Sequence, residues 1–422
     1  MPVLILHYHE IWLKGCNRNF FIAKLKESIA RTLDGLPIQA VQHEENRILV
    51  RFKPQGDEAA QVTEAAVERL TKVPGIAYLA VAHELRPDLE EIVERGSELM
   101  IATPFHSFAV RAKRSHKGIP FGSIEIQQRL GHRIGQRAAA AGRAVKVDLD
   151  HPDATCRVEV MEQQALVYTE KIPGVGGLPT GTAGRLTCLL SGGFDSAVAA
   201  YKIIRRGVRL SFVHFYGPPA HPGEDSPPIA RELVRILTAY QGRSNLYLVP
   251  FNEIQQQIVA GAPEAVRILL YRRFMLRIAE RISWKEKAQG TVTGDSIAQV
   301  ASQTLQNMQA VGAVATRPLY RPLVGDDKQD ILAIAHKIGT YAVSCEPFTD
   351  CCPIYLPKSP RIFSTIQELD AAESALDISG MVKRAVELRR KECYEYQSGK
   401  VVEREQKDRQ SHYESVPAGA AL

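Results

Sequence analysis

The chain has 422 residues, 45% hydrophobic and 24% charged, an ordinary globular balance that excludes a disordered, collagenous or fibrous protein. No run reaches the roughly 18 uncharged apolar residues of a membrane-spanning helix, and the opening Met1-Pro2-Val3-Leu4-Ile5-Leu6 lacks a basic segment and cleavage site. A cytoplasmic protein of two or three domains with no membrane partner is expected, and the small excess of 53 Lys and Arg over 47 Asp and Glu names no ligand by itself.

Residues 1–75 read as short strands and helices: an apolar run at 3–7, an amphipathic stretch at 20–33 and a strand at 47–52, punctuated by Pro37 and Pro54. In residues 76–171, strands at 108–113 and 166–169 flank a helix beginning near Ser123, its expected N-cap. Along that helix Ile126, Leu130, Ile134 and Ala138 recur every four residues, while Arg129, Arg133 and Arg137 form the adjoining ridge. Nine basic residues stand between positions 111 and 146, Arg111, Lys113, Arg114 and Lys117 among them, against the single acid Glu125. Such a local basic field suits a polyanion.

The stretch Ile172-Pro173-Gly174-Val175-Gly176-Gly177-Leu178-Pro179 is too rich in Gly and Pro for regular structure and predicts a linker. Beyond it strands (186–190, 210–215, 246–250, 290–293) alternate with helices (195–205, 228–240, 265–282, 328–338). That order predicts a doubly wound α/β parallel sheet with a ligand site at the carboxyl ends of its strands. After Val401 the chain turns polar, and 401–422 is expected to be a frayed tail.

Between the strand at 186–190 and the helix at 195–205 lies Ser191-Gly192-Gly193-Phe194-Asp195-Ser196. Two glycines let backbone amides approach a phosphate, Ser191 and Ser196 offer hydroxyl donors, and the helix N-terminus favours negative charge. Asp195 suits a bridging Mg2+, and with no Lys after the glycines this is not the Walker-A loop. The hexapeptide resembles the PP-loop of ATP pyrophosphatases, which cleave ATP between the α and β phosphates.

Further stretches resemble one family, the tRNA 4-thiouridine sulfurtransferases called ThiI. They are His7-Tyr8-His9-Glu10-Ile11-Trp12-Leu13-Lys14-Gly15, the linker through Gly181, and Thr293-Gly294-Asp295-Ser296 running on to Gln303-Thr304, where the family usually has Glu for Asp295. The resemblance implies a ferredoxin-like domain at 1–75, an RNA-binding THUMP domain at 76–171 and a PP-loop catalytic domain at 172–400. It carries nucleotide contacts onto Leu189, Leu190, His214, Phe215, Arg272, Gly294 and Gln303, beside Ser191, Gly192, Gly193 and Ser196 of the loop. It also implies tRNA as substrate, held by the basic segment, a homodimer, and a second role in supplying sulfur for thiamine-thiazole synthesis.

Seven cysteines are an odd number and too sparse for a disulfide scaffold. In Asp350-Cys351-Cys352-Pro353 the family's sulfur-handling cysteine aligns with Cys352, and Lys358 and Arg361 would lower its pKa. Cys188, in an apolar strand, reads as core. No rhodanese-like domain follows, so a cysteine desulfurase or separate sulfur carrier is expected, with Cys393, in a helix-like run at 387–396, as one resolving thiol. An iron–sulfur cluster on Cys345, Cys351 and Cys352 is the weaker reading because the spacing lacks a Cys-x-x-Cys pair. The rivals are a PP-loop ligase acting on a small molecule, which leaves the basic segment unexplained, and a non-catalytic RNA-binding protein.

Overall fold

The computed structural model describes residues 2–53, 56–116, 118–218, 225–348 and 359–404. In its N-terminal half the strands are β1 (Pro2–His7), β2 (Ile38–Glu44), β3 (Arg47–Phe52), β4 (Tyr78–Leu85), β5 (Ser107–Arg114), β6 (Lys146–Val147), β7 (Ala154–Val160), β8 (Ala165–Tyr168) and β9 (Ile172–Pro173). They form one sheet in the order β2-β3-β1-β4-β8-β7-β5-β6, with β9 beside β4. Helices α1 (Arg18–Thr32) and α2 (Ala59–Leu70) cover a core of Leu4, Leu6, Ile29, Ile48, Val50 and Leu70. Helices α3 (Leu89–Ile101) and α4 (Ser123–Ala140) cover a second one around Ile92, Phe108, Ile126, Leu130, Ile134 and Val158. The four-residue apolar stripe of α4 is therefore the face that packs, each large aliphatic chain contributing roughly 1.5–3 kcal/mol by leaving water. Its N-cap is Gly122, without a side-chain cap, and Ser123 is the first helical residue.

The C-terminal half contains β10 (Arg185–Leu189), α5 (Phe194–Ile204), β11 (Arg209–Tyr216), α6 (Ser226–Gln241), β12 (Arg243–Pro250), α7 (Asn252–Gly261), α8 (Arg267–Lys285) and β13 (Thr291–Val292). Then follow α9 (Leu305–Gly312), β14 (Leu319–Tyr320), α10 (Lys328–Ile338), α11 (Thr340–Ser344), α12 (Ile366–Glu373), α13 (Ile378–Leu388), β15 (Arg390–Gln397) and β16 (Lys400–Arg404). The sheet order is β14-β13-β10-β11-β12-β15-β16. From β14 to β12 every pairing is parallel. One core, with α5, α6 and α10, fills one face; α8, α9 and α13 fill the other. This is the doubly wound arrangement expected from the alternation of elements.

Two expectations are corrected at the C-terminal edge. The run at 387–396 is not helical beyond Leu388: β15 pairs antiparallel with β12, so the sheet is mixed. The chain also remains ordered past 401, because β16 pairs with β15 as far as Arg404. Residues after Arg404 lie outside the described ones. Among the described residues no helix is long and apolar enough to cross a membrane.

Candidate nucleotide site and basic surface

Strand β10 has β11 on one side and β13 on the other, so the chain winds outward in opposite directions from it. A crevice opens at the carboxyl end of such a strand, and Ser191 to Ser196 occupy that position. Gly193 is the N-cap of α5 and no side chain caps the helix, which leaves its first amides to a ligand. The serine hydroxyls brace the loop itself. Ser196 Oγ accepts from the Ser191 amide at 3.1 Å and donates to Gly193 O at 3.1 Å, while Ser191 Oγ accepts from the Gly193 amide at 3.3 Å.

Two glycines set the loop's surroundings by close approach. A Cβ at Gly294 would lie 2.8 Å from the Ser196 amide nitrogen, so only glycine lets the chain just after β13 lie against the start of α5. A Cβ at Gly192 would run into the ring of Phe348. Phe194 packs into the core and meets Tyr341 at 6.1 Å between ring centres, so the position next to the glycines serves packing.

A cleft of about 650 Å³ stands over the loop. Leu189, Leu190, Ser191, Asp195, Ser196, Phe215, Arg272, Gly294 and Gln303, all singled out from the sequence, line it. Gly192 and Gly193 belong to the loop without lining the cleft. His214 is turned to the opposite face of β11, because neighbouring strand residues alternate and Val213 and Phe215 take the cleft side. Its Nδ1 lies 2.8 Å from Leu190 O, which can only accept, so Nδ1 carries the proton and Nε2 accepts from the Ser226 hydroxyl at 2.8 Å. The His214 side chain therefore fixes the end of β10 from behind.

Asp295, 5% exposed, is the polar hub of the cleft. Arg272 reaches it from α8 and donates also to Ser302 Oγ at 2.8 Å. Thr293 donates to Asp295 Oδ2 at 2.8 Å, Arg321 approaches the same oxygen at 3.4 Å, and Gln303 Nε2 lies 3.4 Å from Oδ1. Burial pushes the Asp295 carboxyl up, but Arg272, Thr293 and Arg321 outweigh it and hold its pKa below the usual carboxylate range. The adjacent Arg273 has a different task. It is fully buried, bonded to Ala310 O at 3.0 Å and to Glu373 at 2.8 Å.

Asp195 is arranged differently. Its Oδ2 accepts from Gln299 Nε2 at 3.0 Å, while Oδ1 is buried with no hydrogen-bond partner. Burial raises its pKa, with Gln299 and Lys328 pulling the other way. An orphaned carboxylate oxygen in a cleft suited to an anion fits a cation bound between the two. Among the described residues no cluster of three or more His, Cys, Asp or Glu is placed to hold a metal, so such a cation would depend on ligand oxygens as well.

Cys351, Cys352 and Lys358 lie outside the described residues. Of the described ends of that segment, Phe348 lies against Gly192 of the loop, while Pro360 and Arg361 line the cleft wall. Arg361 pairs with Glu368 at 3.1 Å. Cys345 is exposed, and Cys188 is buried in β10, where burial pushes its thiol up to about 12. Cys393 sits on β15 opposite Asn245 and donates to it at 3.3 Å. That places it near the amino ends of the parallel strands, away from the cleft and from the role of resolving thiol.

The basic segment divides into two surfaces. Along α4, Arg129 pairs with Glu90, Arg133 with Glu94 at 2.8 Å, and Arg137 with Glu94 at 2.5 Å, the partners all lying on α3. The expected phosphate-facing ridge is thus an interhelical ladder, its charge matched by carboxylates four residues apart. Arg111 and Lys113 point from the sheet face opposite α3 and α4, and both are exposed. Register places Arg157 beside Arg111, and Lys171 is held below the ordinary lysine pKa by burial and by Arg157 and Lys113. Arg114 is exposed but donates to the carbonyls of Ile119 and Phe121 at 3.0 and 3.1 Å. Lys117 lies outside the described residues.

Residues 3–80 match the ThiI ferredoxin-like domain, residues 87–170 the THUMP domain and residues 181–378 the family described as thiamine biosynthesis protein (ThiI). A protein of Thermus thermophilus named "probable tRNA sulfurtransferase" is 39% identical over 387 residues, which cover 92% of each chain. One from Moorella thermoacetica is 37% identical, covering 91% of this chain and 95% of its own. A solved 4-thiouridine synthetase in complex with RNA and ATP superposes with a TM-score of 0.80 at 31% identity, covering 93% of this chain and 99% of its own. Identity of this level along nearly the whole length, with family models matching all three parts of the chain, makes the chain a member of the ThiI family of tRNA sulfurtransferases.

Proposed function

We propose that the chain is an ATP-dependent sulfurtransferase that converts a tRNA uridine, at position 8, to 4-thiouridine. The observation that carries this reading is the cleft at the switch point, where open helix amides, the guanidinium groups of Arg272 and Arg321 and a carboxylate with an orphaned oxygen meet around the loop. The amides at the start of α5 would hold ATP phosphates. Arg272 and Arg321, aimed by Asp295, would face negative charge as it develops. Leu189, Phe215 and Leu269 offer apolar walls to the adenine. Magnesium, which Asp195 would hold together with the phosphates, would neutralise phosphate charge when bound.

In the reaction the uridine O4 attacks the α-phosphorus and pyrophosphate leaves. The terminal sulfur of a persulfide on Cys352 then attacks C4, expelling AMP, and a second thiol reduces the resulting disulfide to free 4-thiouridine. A cysteine desulfurase or sulfur carrier loads the persulfide. The placement of the two ends of the segment 349–358, one against the loop at Gly192 and the other in the cleft wall, supports Cys352 as the sulfur carrier. The open face of β5 and β7, with Arg111, Lys113 and Arg157, would grip the tRNA backbone.

Purified protein incubated with unmodified tRNA, Mg-ATP, a cysteine desulfurase and cysteine should yield 4-thiouridine, read by near-ultraviolet absorbance, and AMP, read by chromatography. The Cys352→Ala variant should release AMP without thiouridine. Absence of both products from the unsubstituted protein would refute the reading.

A further inference from the structure

At the rim of the catalytic sheet opposite the nucleotide cleft, a cavity of about 240 Å³ opens between α1 and the start of β10 and β11. Lys24 and Arg31 of α1 line it together with Arg185 and Arg209, the first residues of β10 and β11. Its single carboxylate, Glu27, is engaged by Lys24 at 2.8 Å. An adjoining cavity of about 210 Å³ shares Arg185 and Arg209 and adds Arg243, the first residue of β12. The carboxylate there, Glu286, is already bonded to Ser211, Asn245 and Tyr247 and paired with Lys391 at 3.2 Å.

Among the described residues none of the four guanidinium groups makes a hydrogen bond or a close ion pair, and the Nε atoms of Arg31 and Arg209 are buried without a partner. Burial lowers the pKa of both, and for Arg209 the neighbouring Arg31, Arg185 and Arg243 lower it further. Like charges gathered from separate elements, with their donors unused, are an arrangement that an anion completes. Guanidinium forks match the paired oxygens of phosphate.

We propose that this cavity binds a phosphate group, clamped between Arg31 of the N-terminal half and Arg185 and Arg209 of the catalytic sheet. It is distinct from the nucleotide cleft. Arg185 and Leu189 are the two ends of β10, Leu189 lines the cleft, and a rise of about 3.3 Å per residue puts roughly 13 Å between them. An occupant there would tie α1 to the catalytic sheet. The phosphate would come either from a free ion or from the tRNA backbone, and the site itself does not depend on the thiolation reading.

The test fills the cleft with a non-hydrolysable ATP analogue and titrates inorganic phosphate against chloride at constant ionic strength while following the melting temperature. The unsubstituted protein should gain a saturable rise that Arg31→Gln and Arg209→Gln lose. Arg185→Gln, at an exposed position that folding tolerates, should reduce it. Filter binding of tRNA across salt concentrations separates the sources. For a backbone phosphate, Arg185→Gln should weaken tRNA several-fold and lower the salt slope by about one. For a free ion, tRNA affinity should stay unchanged. No phosphate-dependent rise in the unsubstituted protein, together with unchanged tRNA affinity in the Arg185→Gln variant, would overturn the proposal.

Discussion

Asp195 and Asp295 are both acids of one cleft, and their surroundings drive them in opposite directions. Asp195 is half-buried, with one buried, unpartnered oxygen and a raised pKa, so its ionised form destabilises the ligand-free fold at neutral pH. Asp195→Asn should raise the melting temperature of the free protein at pH 7 by an amount set by one unsatisfied group, about 1 kcal/mol or roughly 2–4 °C. The gain should shrink as pH falls, because the native carboxyl takes up its proton at a higher pH than an ordinary aspartate, while tRNA-dependent AMP release at pH 7 falls at least tenfold. Calorimetry beside an AMP assay reads both. Asp295 has a lowered pKa, so its contribution to stability is present above the ordinary carboxylate range and is lost as pH falls through the lowered value. Asp295→Ala leaves Arg272 and Arg321 facing each other and should cost about 3–5 kcal/mol, measured by urea denaturation at pH 7. The Thr-Gly-Asp stretch marked this region in the sequence through Gly294 and Gln303. The hub itself, Asp295 with Thr293 and Arg321, is not legible there, because no local pattern tells that a helix residue 23 positions earlier points at the same carboxylate.

At the scale of elements, spacing predicts which face packs better than it predicts what the other face does. The apolar stripe of α4 is buried as its period implies, yet the neighbouring arginine ridge serves Glu90 and Glu94, because α3 brings its own acids at the same four-residue interval. Replacing Arg129, Arg133 and Arg137 together by Gln should lower stability by about 1–2 kcal/mol, as exposed pairs do, and leave tRNA affinity within about twofold. Replacing Arg111 and Lys113 should weaken tRNA binding without loss of stability and reduce the salt slope by about two. Filter binding and thermal melts on the two variants distinguish a ladder from an interface. Strand β15 shows the converse difficulty. Its buried positions Glu392, Tyr394 and Tyr396 alternate as a strand requires, but one of them is a glutamate. Arg231 satisfies that carboxylate at 2.8 Å, and hydropathy alone does not reveal the pairing.

Across the whole molecule, the Gly- and Pro-rich connection read from the sequence as a linker is a strap fastened on both sides. Gly75 donates to Gly176 O at 2.8 Å and Gly176 donates to Ile76 O at 2.8 Å, while Leu178 donates to Arg205 O at 2.9 Å. Arg206 meets Glu10 at 2.7 Å nearby, and Ser398 of the β15–β16 turn bonds to Asp34 at 2.9 Å. Composition reveals the irregular backbone but not its partners, since those lie a hundred residues to the N-terminal side and at the end of α5. The two halves are thereby held in one orientation, which would matter to the proposed reaction, in which one half grips the tRNA and the other modifies it. Gly177 is the position most exposed to failure. It has φ of +73°, and a Cβ there would run into the carbonyl of Arg205. Gly177→Val should therefore detach the strap at its catalytic end. The expected phenotype is specific: ATP-analogue binding and tRNA binding each stay within about threefold, while thiolation falls by at least tenfold because the uridine is no longer presented to the loop. Small-angle scattering of the same variant should show a larger radius of gyration. Full thiolation with an unchanged scattering profile would mean that the remaining contacts, Arg206 with Glu10 and Ser398 with Asp34, are sufficient to hold the halves together.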